Sequence, residues 1–105
     1  VGEGRAHRPA VIANGVIYMK MKNYFSATIY FRNLLDVYYD TEWAPKAAFN
    51  LAVCLTRDGQ YYEAEEALRN FAVKYPDHPW QSRVASALDE IREKIREAER
   101  TQMDK

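Results

Sequence analysis

The chain holds a single cysteine, Cys54, among its 105 residues. No disulfide can form within it, so cysteine usage does not fix a redox compartment. Cys54 lies in the middle of an apolar helical run with no base nearby in sequence, and it reads as a small buried apolar residue, not a reactive thiol. Net charge is also absent, since Lys+Arg and Asp+Glu both total 15. This removes the long-range attraction on which nucleic-acid binders depend. No stretch is long and apolar enough to span a membrane. The first residues, Val1 to Arg8, lack the apolar core and cleavage site of a signal peptide. They also lack an initiator methionine and read as a flexible leader, the start of an excerpt from a longer protein. Chemistry-bearing groups are equally sparse. His7 and His78 have no partner at metal-ligand spacing, and His78, between Asp77 and Pro79, fits a cap or turn. No glycine-rich phosphate loop occurs. Glu63, Glu65 and Glu66 cluster where a helix begins, a position favoured by the helix dipole. No catalytic centre and no cofactor are expected.

What the sequence has is helical periodicity. Hydrophobic residues make up 48% of it, enough to bury a core. Ala48, Leu51, Ala52 and Leu55 recur at spacings of three and four, and so do Tyr61, Ala64, Leu68 and Phe71. Between these runs stands Asp58-Gly59. An Asp-Gly pair can turn a hairpin, but neither flank alternates with period two. Gly59 therefore reads as the left-handed stop of one helix and the elbow of an antiparallel pair. Asn14-Gly15 has helical flanks as well. A glycine inside a helix costs roughly 1 kcal/mol against alanine, which predicts a neighbouring helix passing close to Gly15. The predicted helices run from Pro9 to about Lys22, Tyr24 to Tyr39, Lys46 to Arg57 with Pro45 fitting a first turn, Tyr61 to about Lys74, and Pro79 to Arg100. Asn23 forms the first break, Asp40, Thr41 and either Asp77 or His78 are cap-type residues, and Thr101 to Lys105 is expected to fray. The last helix has one apolar stripe, Val84, Leu88, Ile91, Ile95 and Ala98. Its remaining faces are charged and read as a solvated surface, with Glu90–Lys94 the opposite-charge pair at i, i+4.

The chain repeats itself. Shifted by 37 residues, Tyr24 falls on Tyr61, Ala27 on Ala64, Arg32 on Arg69 and Asn33 on Asn70. Tyr38 falls on Tyr75, Asp40 on Asp77, Trp43 on Trp80 and Ala48 on Ala85. A fixed period in this range denotes stacked units, each too small to bury its apolar faces alone. The pattern Gly15-x-x-Tyr18, then Tyr24-x-x-Ala27-x-x-x-Phe31-x-x-Leu34, resembles the tetratricopeptide repeat, as does Gly59-x-Tyr61-x-x-Ala64-x-x-x-Leu68-x-x-Phe71 followed by Pro76. The departures are Lys22 in place of an elbow glycine, Tyr39 in place of a closing proline, and links three residues longer than the usual repeat of 34. The resemblance implies an all-α, right-handed α-solenoid of two tetratricopeptide-like helix pairs plus a C-terminal capping helix. As one domain it covers residues 9–100, with repeat one at 9–39, repeat two at 43–76 and the terminal helix at 79–100.

The longer links add a narrower likeness. Lys22-x-Tyr24-x-x-Ala27-x-x-x-Phe31, then Tyr38-x-Asp40-x-x-Trp43-Ala44-x-x-Ala47, then Gly59-x-Tyr61-x-Glu63-Ala64, is similar to the helical-repeat lipoproteins of the bacterial envelope, over about residues 15 to 80. That likeness implies a non-catalytic scaffold in outer-membrane β-barrel assembly, in the periplasm, tied to the membrane only by a lipid anchor outside this segment. Its partners would be proteins or peptides, among them other assembly components. The periplasmic repeat protein of the Tol-Pal system has a very similar pattern, and a generic peptide-binding module is the broader alternative. Solenoids of this kind bind on the concave face lined by the first helix of each pair. Spacing from Gly15 and Ala52 puts Ile12, Val16, Met19 and Lys20 there in one unit and Lys46, Phe49, Val53, Thr56 and Arg57 in the next. Arg83, Ser86 and Glu90 follow from the last helix. The expectation is an apolar floor with a cationic rim, suited to an extended or helical peptide bearing acidic groups. Of the aromatic residues, Tyr30, Tyr38, Tyr39 and Tyr62 are less accounted for by packing, and exposed aromatics are favoured at interfaces.

Overall fold

A computed structural model describes residues 10–103. Five helices follow one another with no strand among the described residues: α1 (Ala10–Lys20), α2 (Tyr24–Val37), α3 (Trp43–Arg57), α4 (Tyr61–Lys74) and α5 (Gln81–Met103). Each helix packs chiefly against its neighbour in sequence. The result is an elongated solenoid of 61 × 31 × 19 Å with a radius of gyration of 15.0 Å, where a globule of this length has about 13 Å.

The joints within the two helix pairs are built alike. At the first, Lys22 N–H donates to the Met19 carbonyl (2.9 Å) and Asn23 N–H to that of Tyr18 (2.8 Å). At the second, Gly59 N–H donates to the Thr56 carbonyl (3.1 Å) and Gln60 N–H to that of Leu55 (2.9 Å). Both are the paired closing bonds that satisfy orphan carbonyls at a helix end, and both need a left-handed residue. Gly59 supplies it at φ 81°, and Lys22, a side-chain-bearing residue, at φ 60°. The first helix therefore stops at Lys20, two residues before the expected end. Asn23 then starts α2, its Oδ1 accepting from Ser26 N–H at 3.3 Å.

The links between pairs repeat as well. Tyr38 N–H bonds to the Leu34 carbonyl, Thr41 N–H to Tyr38, and Ala44 N–H to Thr41. Thirty-seven residues on, Tyr75 bonds to Phe71, His78 to Tyr75 and Gln81 to His78. The cap-type residues act in these turns: Thr41 Oγ1 accepts from Trp43 N–H at 3.3 Å, and His78 Nδ1 accepts from Trp80 N–H at 3.1 Å. Asp40 and Asp77 make no such bond. Pro79 lies in the turn before α5, so the last helix begins at Gln81, not Pro79. It runs on to Met103, so residues 101–103 are helical where a frayed end was expected. Two ties to α4 hold this far part: the Tyr62 hydroxyl donates to Glu99 at 2.6 Å, and Arg92 Nε pairs with Glu65 at 3.0 Å. The expected Glu90–Lys94 pair is absent, and Glu93 pairs instead with Arg96 one turn on. The expected leader, residues 1–8, lies outside the described residues.

The core runs the length of the stack. Phe31, Leu34, Leu55, Leu68, Phe71, Val84 and Ile91 are buried in it, each worth ~1.5–3 kcal/mol relative to exposure. Of the stripe on α5, Val84 and Ile91 are buried, Leu88 and Ile95 are half-buried, and Ala98 is exposed. α1 and α2 approach closely at Gly15, since a Cβ there would sit 2.8 Å from the Phe31 ring. Cys54 is fully buried, and that desolvation pushes its thiol up to about 11. It is an apolar packing residue.

Candidate peptide-binding face

α3 is the central helix, and two of its faces open on cavities. Phe49, Val53, Thr56 and Arg57 recur at i, i+4, i+7 and i+8, which puts them on one stripe. Opposite them α5 presents Arg83, Ser86 and Glu90 at i, i+3 and i+7. Together with Ala87, Ile91 and Lys94 these line a cleft of about 340 Å³. Phe49, Val53, Ala87 and Ile91 give it an apolar lining, and Arg57, Arg83 and Lys94 give it three cations beside the Glu90 carboxylate. Arg83 lies 4.9 Å from the Trp80 ring centroid and 5.8 Å from that of Phe49, and Arg57 lies 5.7 Å from that of Tyr24. Stacking over ring faces holds a guanidinium by its charge while leaving its in-plane N–H donors free. Among the described residues neither arginine is paired with a carboxylate. The rings are themselves packed into one chain of edge contacts, Trp80 to Phe49 at 5.4 Å, Phe49 to Phe71 at 6.5 Å and Phe71 to Tyr75 at 5.1 Å. The Thr56 hydroxyl is committed to the Ala52 carbonyl at 2.8 Å, so it offers the cleft a lone pair and a methyl group.

The concave residues of the first unit form a separate, smaller cavity of about 130 Å³ between α1 and α3, where Ile12 and Val16 meet Lys46 above the Phe31 ring. Lys46 Nζ lies 5.8 Å from the Trp43 ring centroid. Ile12 is almost wholly covered, so it serves as floor. Met19 is half-buried against the core and Lys20 is exposed, and neither lines either of these two cavities. The expected groove is thus two pockets in series: Ile12, Val16 and Lys46 in one, and Phe49, Val53, Arg57 and Arg83 in the other.

A third cavity escaped the periodicity argument. On the other side of α3, Leu51 and Leu55 floor a space of about 310 Å³ between α2 and α4. Its signal in sequence was the repeated Arg-Asn pair, Arg32-Asn33 and Arg69-Asn70, since Arg32 and Asn70 both line it. The unexplained tyrosines also find places. Tyr30 stacks on Tyr18 at 5.2 Å, Tyr38 is half-buried against the core, Tyr62 bonds to Glu99, and Tyr39, 73% exposed, stands at the edge of this third cavity. Among the described residues no group of three or more His, Cys, Asp or Glu could hold a metal ion.

Stacked antiparallel helix pairs with a cationic, apolar cleft on the first helix of each pair define a helical-repeat interaction module. Residues 46–78, which cover most of α3, all of α4 and the turn to His78, match the family model of the tetratricopeptide repeat. The chain is thus similar to tetratricopeptide-repeat proteins over its second helix pair, and such repeats serve as scaffolds for protein or peptide partners. No curated protein matches the chain.

Proposed function

We propose that the cleft between α3 and α5 takes a segment of a partner protein, with an apolar side chain seated against Phe49 and Val53 and acidic groups met by Arg57 and Arg83. The observation that carries this reading is the pair of ring-stacked guanidinium groups beside the apolar lining of the cleft. Their positions are set before a ligand arrives, so little side-chain entropy is lost on binding. Lys46, over the neighbouring pocket, extends the cationic rim toward α1 for a longer segment. A synthetic peptide with an apolar residue flanked by glutamates tests this. Arg57→Glu with Arg83→Glu lowers its affinity by roughly 100-fold, taking 1.4 kcal/mol per tenfold, while the circular dichroism spectrum keeps its helical signal. Unchanged affinity refutes the cleft.

We further propose that this scaffold works in the bacterial envelope, in the assembly of outer-membrane β-barrel proteins, as a protein of the BamD kind, held at the membrane by an anchor outside this segment. The support is the pattern of the two longer links, Tyr38 to Trp43 and Tyr75 to Trp80, whose hydrogen bonds repeat residue for residue. Purification of the tagged full-length product from its own membranes tests the setting. A β-barrel membrane protein in stoichiometric complex supports it. Recovery with Tol-Pal components, the second reading, or from the cytosol overturns it.

A further inference from the structure

The third cavity is unconnected with the peptide cleft, and its charges are ordered. α2 and α4 both pack on α3 but not closely on each other, so the groove between them is floored by Leu51 and Leu55 and walled by Leu35 and Phe71. Both helices are antiparallel to α3 and so run parallel. At the groove's first end, near the start of α4, stand Glu63 and Glu66. Toward the other end stand Arg32, past the middle of α2, and Lys74, in the last turn of α4. Among the described residues none of these four is in an ion pair. The groove is therefore apolar along its length, acidic at one end and basic at the other.

We propose that this groove docks an amphipathic helix of a partner protein, lying antiparallel to α2 and α4, with acidic residues in its first turn against Arg32 and Lys74 and basic residues in its last turn against Glu63 and Glu66. A volume of about 310 Å³ takes a few apolar side chains from one stripe of that helix, not the helix itself, in the manner of helix-in-groove recognition. Antiparallel dipoles and the ordinary acid-first, base-last charge pattern of helices both favour this direction. A second copy of this chain does not fit. α1, α2, α3 and α5 all lack an acidic residue in the first turn, and α4, which has Glu63 first and Lys74 last, is itself a wall of the groove.

Two synthetic helices test the proposal on the full chain. Both carry one leucine stripe; one has glutamates first and lysines last, and the other has the charges exchanged. Fluorescence anisotropy gives the affinities, and amide chemical shifts give the site. The first helix binds roughly tenfold more tightly, the scale of a few exposed charge pairs, and shifts Tyr39, Ala67 and Asn70. Glu63→Lys, Glu66→Lys and Lys74→Glu together reverse the preference, and Ala67→Arg abolishes binding of either helix. Tyr39→Ala, at an exposed position, weakens both and guards against a folding failure in Ala67→Arg. Equal affinities, shifts centred on Val53 and Arg83, or a dimer in sedimentation that Ala67→Arg dissociates would each overturn it.

Discussion

Gly15→Ala should destabilise this protein, against the usual rule for helices. In an open helix the change gains about 1 kcal/mol, because alanine loses less backbone entropy on folding. Here the added Cβ would meet the Phe31 ring at 2.8, 2.9 and 3.2 Å, where ordinary contact begins at 3.4 Å. The ring is rigid and fully buried, so it must move bodily by ~0.6 Å or push α1 away from α2. Overpacking of this kind costs about 1–3 kcal/mol. The small cavity beside Phe31 gives some room but lies toward α3, and two ring atoms are below 3.0 Å, so the upper half of that range applies. The net loss is about 1–2 kcal/mol. At about 4–8 °C per kcal/mol for a domain of this size, the melting temperature falls by roughly 5–15 °C. Urea denaturation followed by circular dichroism measures it at constant slope. The cause is checked in a Phe31→Leu background, where the clash is gone and Gly15→Ala becomes neutral or stabilising, a coupling above about 1 kcal/mol. A variant Gly15→Ala that is as stable as the parent, or more so, refutes the close approach of α1 and α2.

The two elbows and the buried thiol give further expectations. Lys22→Gly raises stability by about 0.5–1 kcal/mol, because a left-handed lysine costs about 1–2 kcal/mol and glycine returns part of that as unfolded-state entropy. Gly59→Ala, with nothing within 4 Å of its Cβ, still loses about 1 kcal/mol through its φ of 81°; denaturant midpoints for the two variants should move in opposite directions. Cys54 resists an aromatic disulfide reagent at pH 8 until the chain is unfolded, and fast labelling would contradict its burial. Because its folded-state pKa is raised to about 11, the contribution of its protonated form is complete below the unfolded value near 9 and is lost as pH rises toward 11. That loss is about 2–3 kcal/mol, and Cys54→Ala removes this part of the pH dependence, as urea titrations between pH 8 and 11 will show.

The helices and their stacking were legible because they rest on local patterns. A stripe at three-four spacing, a glycine at an elbow and an exact shift of 37 residues are properties of one chain read in order. Even Lys22 was legible as the odd member of a repeated joint, although nothing in a lysine announces a left-handed backbone. It is held there by the same two closing bonds that hold Gly59. The cleft between α3 and α5 followed from the same spacing, which places Phe49, Val53, Arg57 and Arg83 together. Met19 and Lys20 do not line it, since Met19 packs half-buried against the core and Lys20 is exposed, and the floor divides at α3. The groove between α2 and α4 was hidden for a related reason. It depends on the distance between two helices that are not adjacent in sequence. Its rim residues Glu63 and Glu66 fit equally well as helix-start stabilisers. The ion pairs on α5 were misjudged because i, i+4 was the spacing considered, whereas Glu93 reaches Arg96 one residue sooner and Arg92 reaches across to Glu65.

The chain of neighbour-only contacts has a kinetic consequence. With every helix resting on the next, few contacts join distant parts of the sequence, and little loop entropy must be lost before packing begins. Folding should be fast, and it can start at either helix pair and spread. Opening follows the same route in reverse. Among the described residues α1 and α5 each pack on one neighbouring helix and should exchange their amide hydrogens before α3, which has a helix on either flank. The cleft that α5 shares with α3 is therefore built from a slower and a faster part of the molecule, and a ligand that spans it would close the far end of the stack like a clasp.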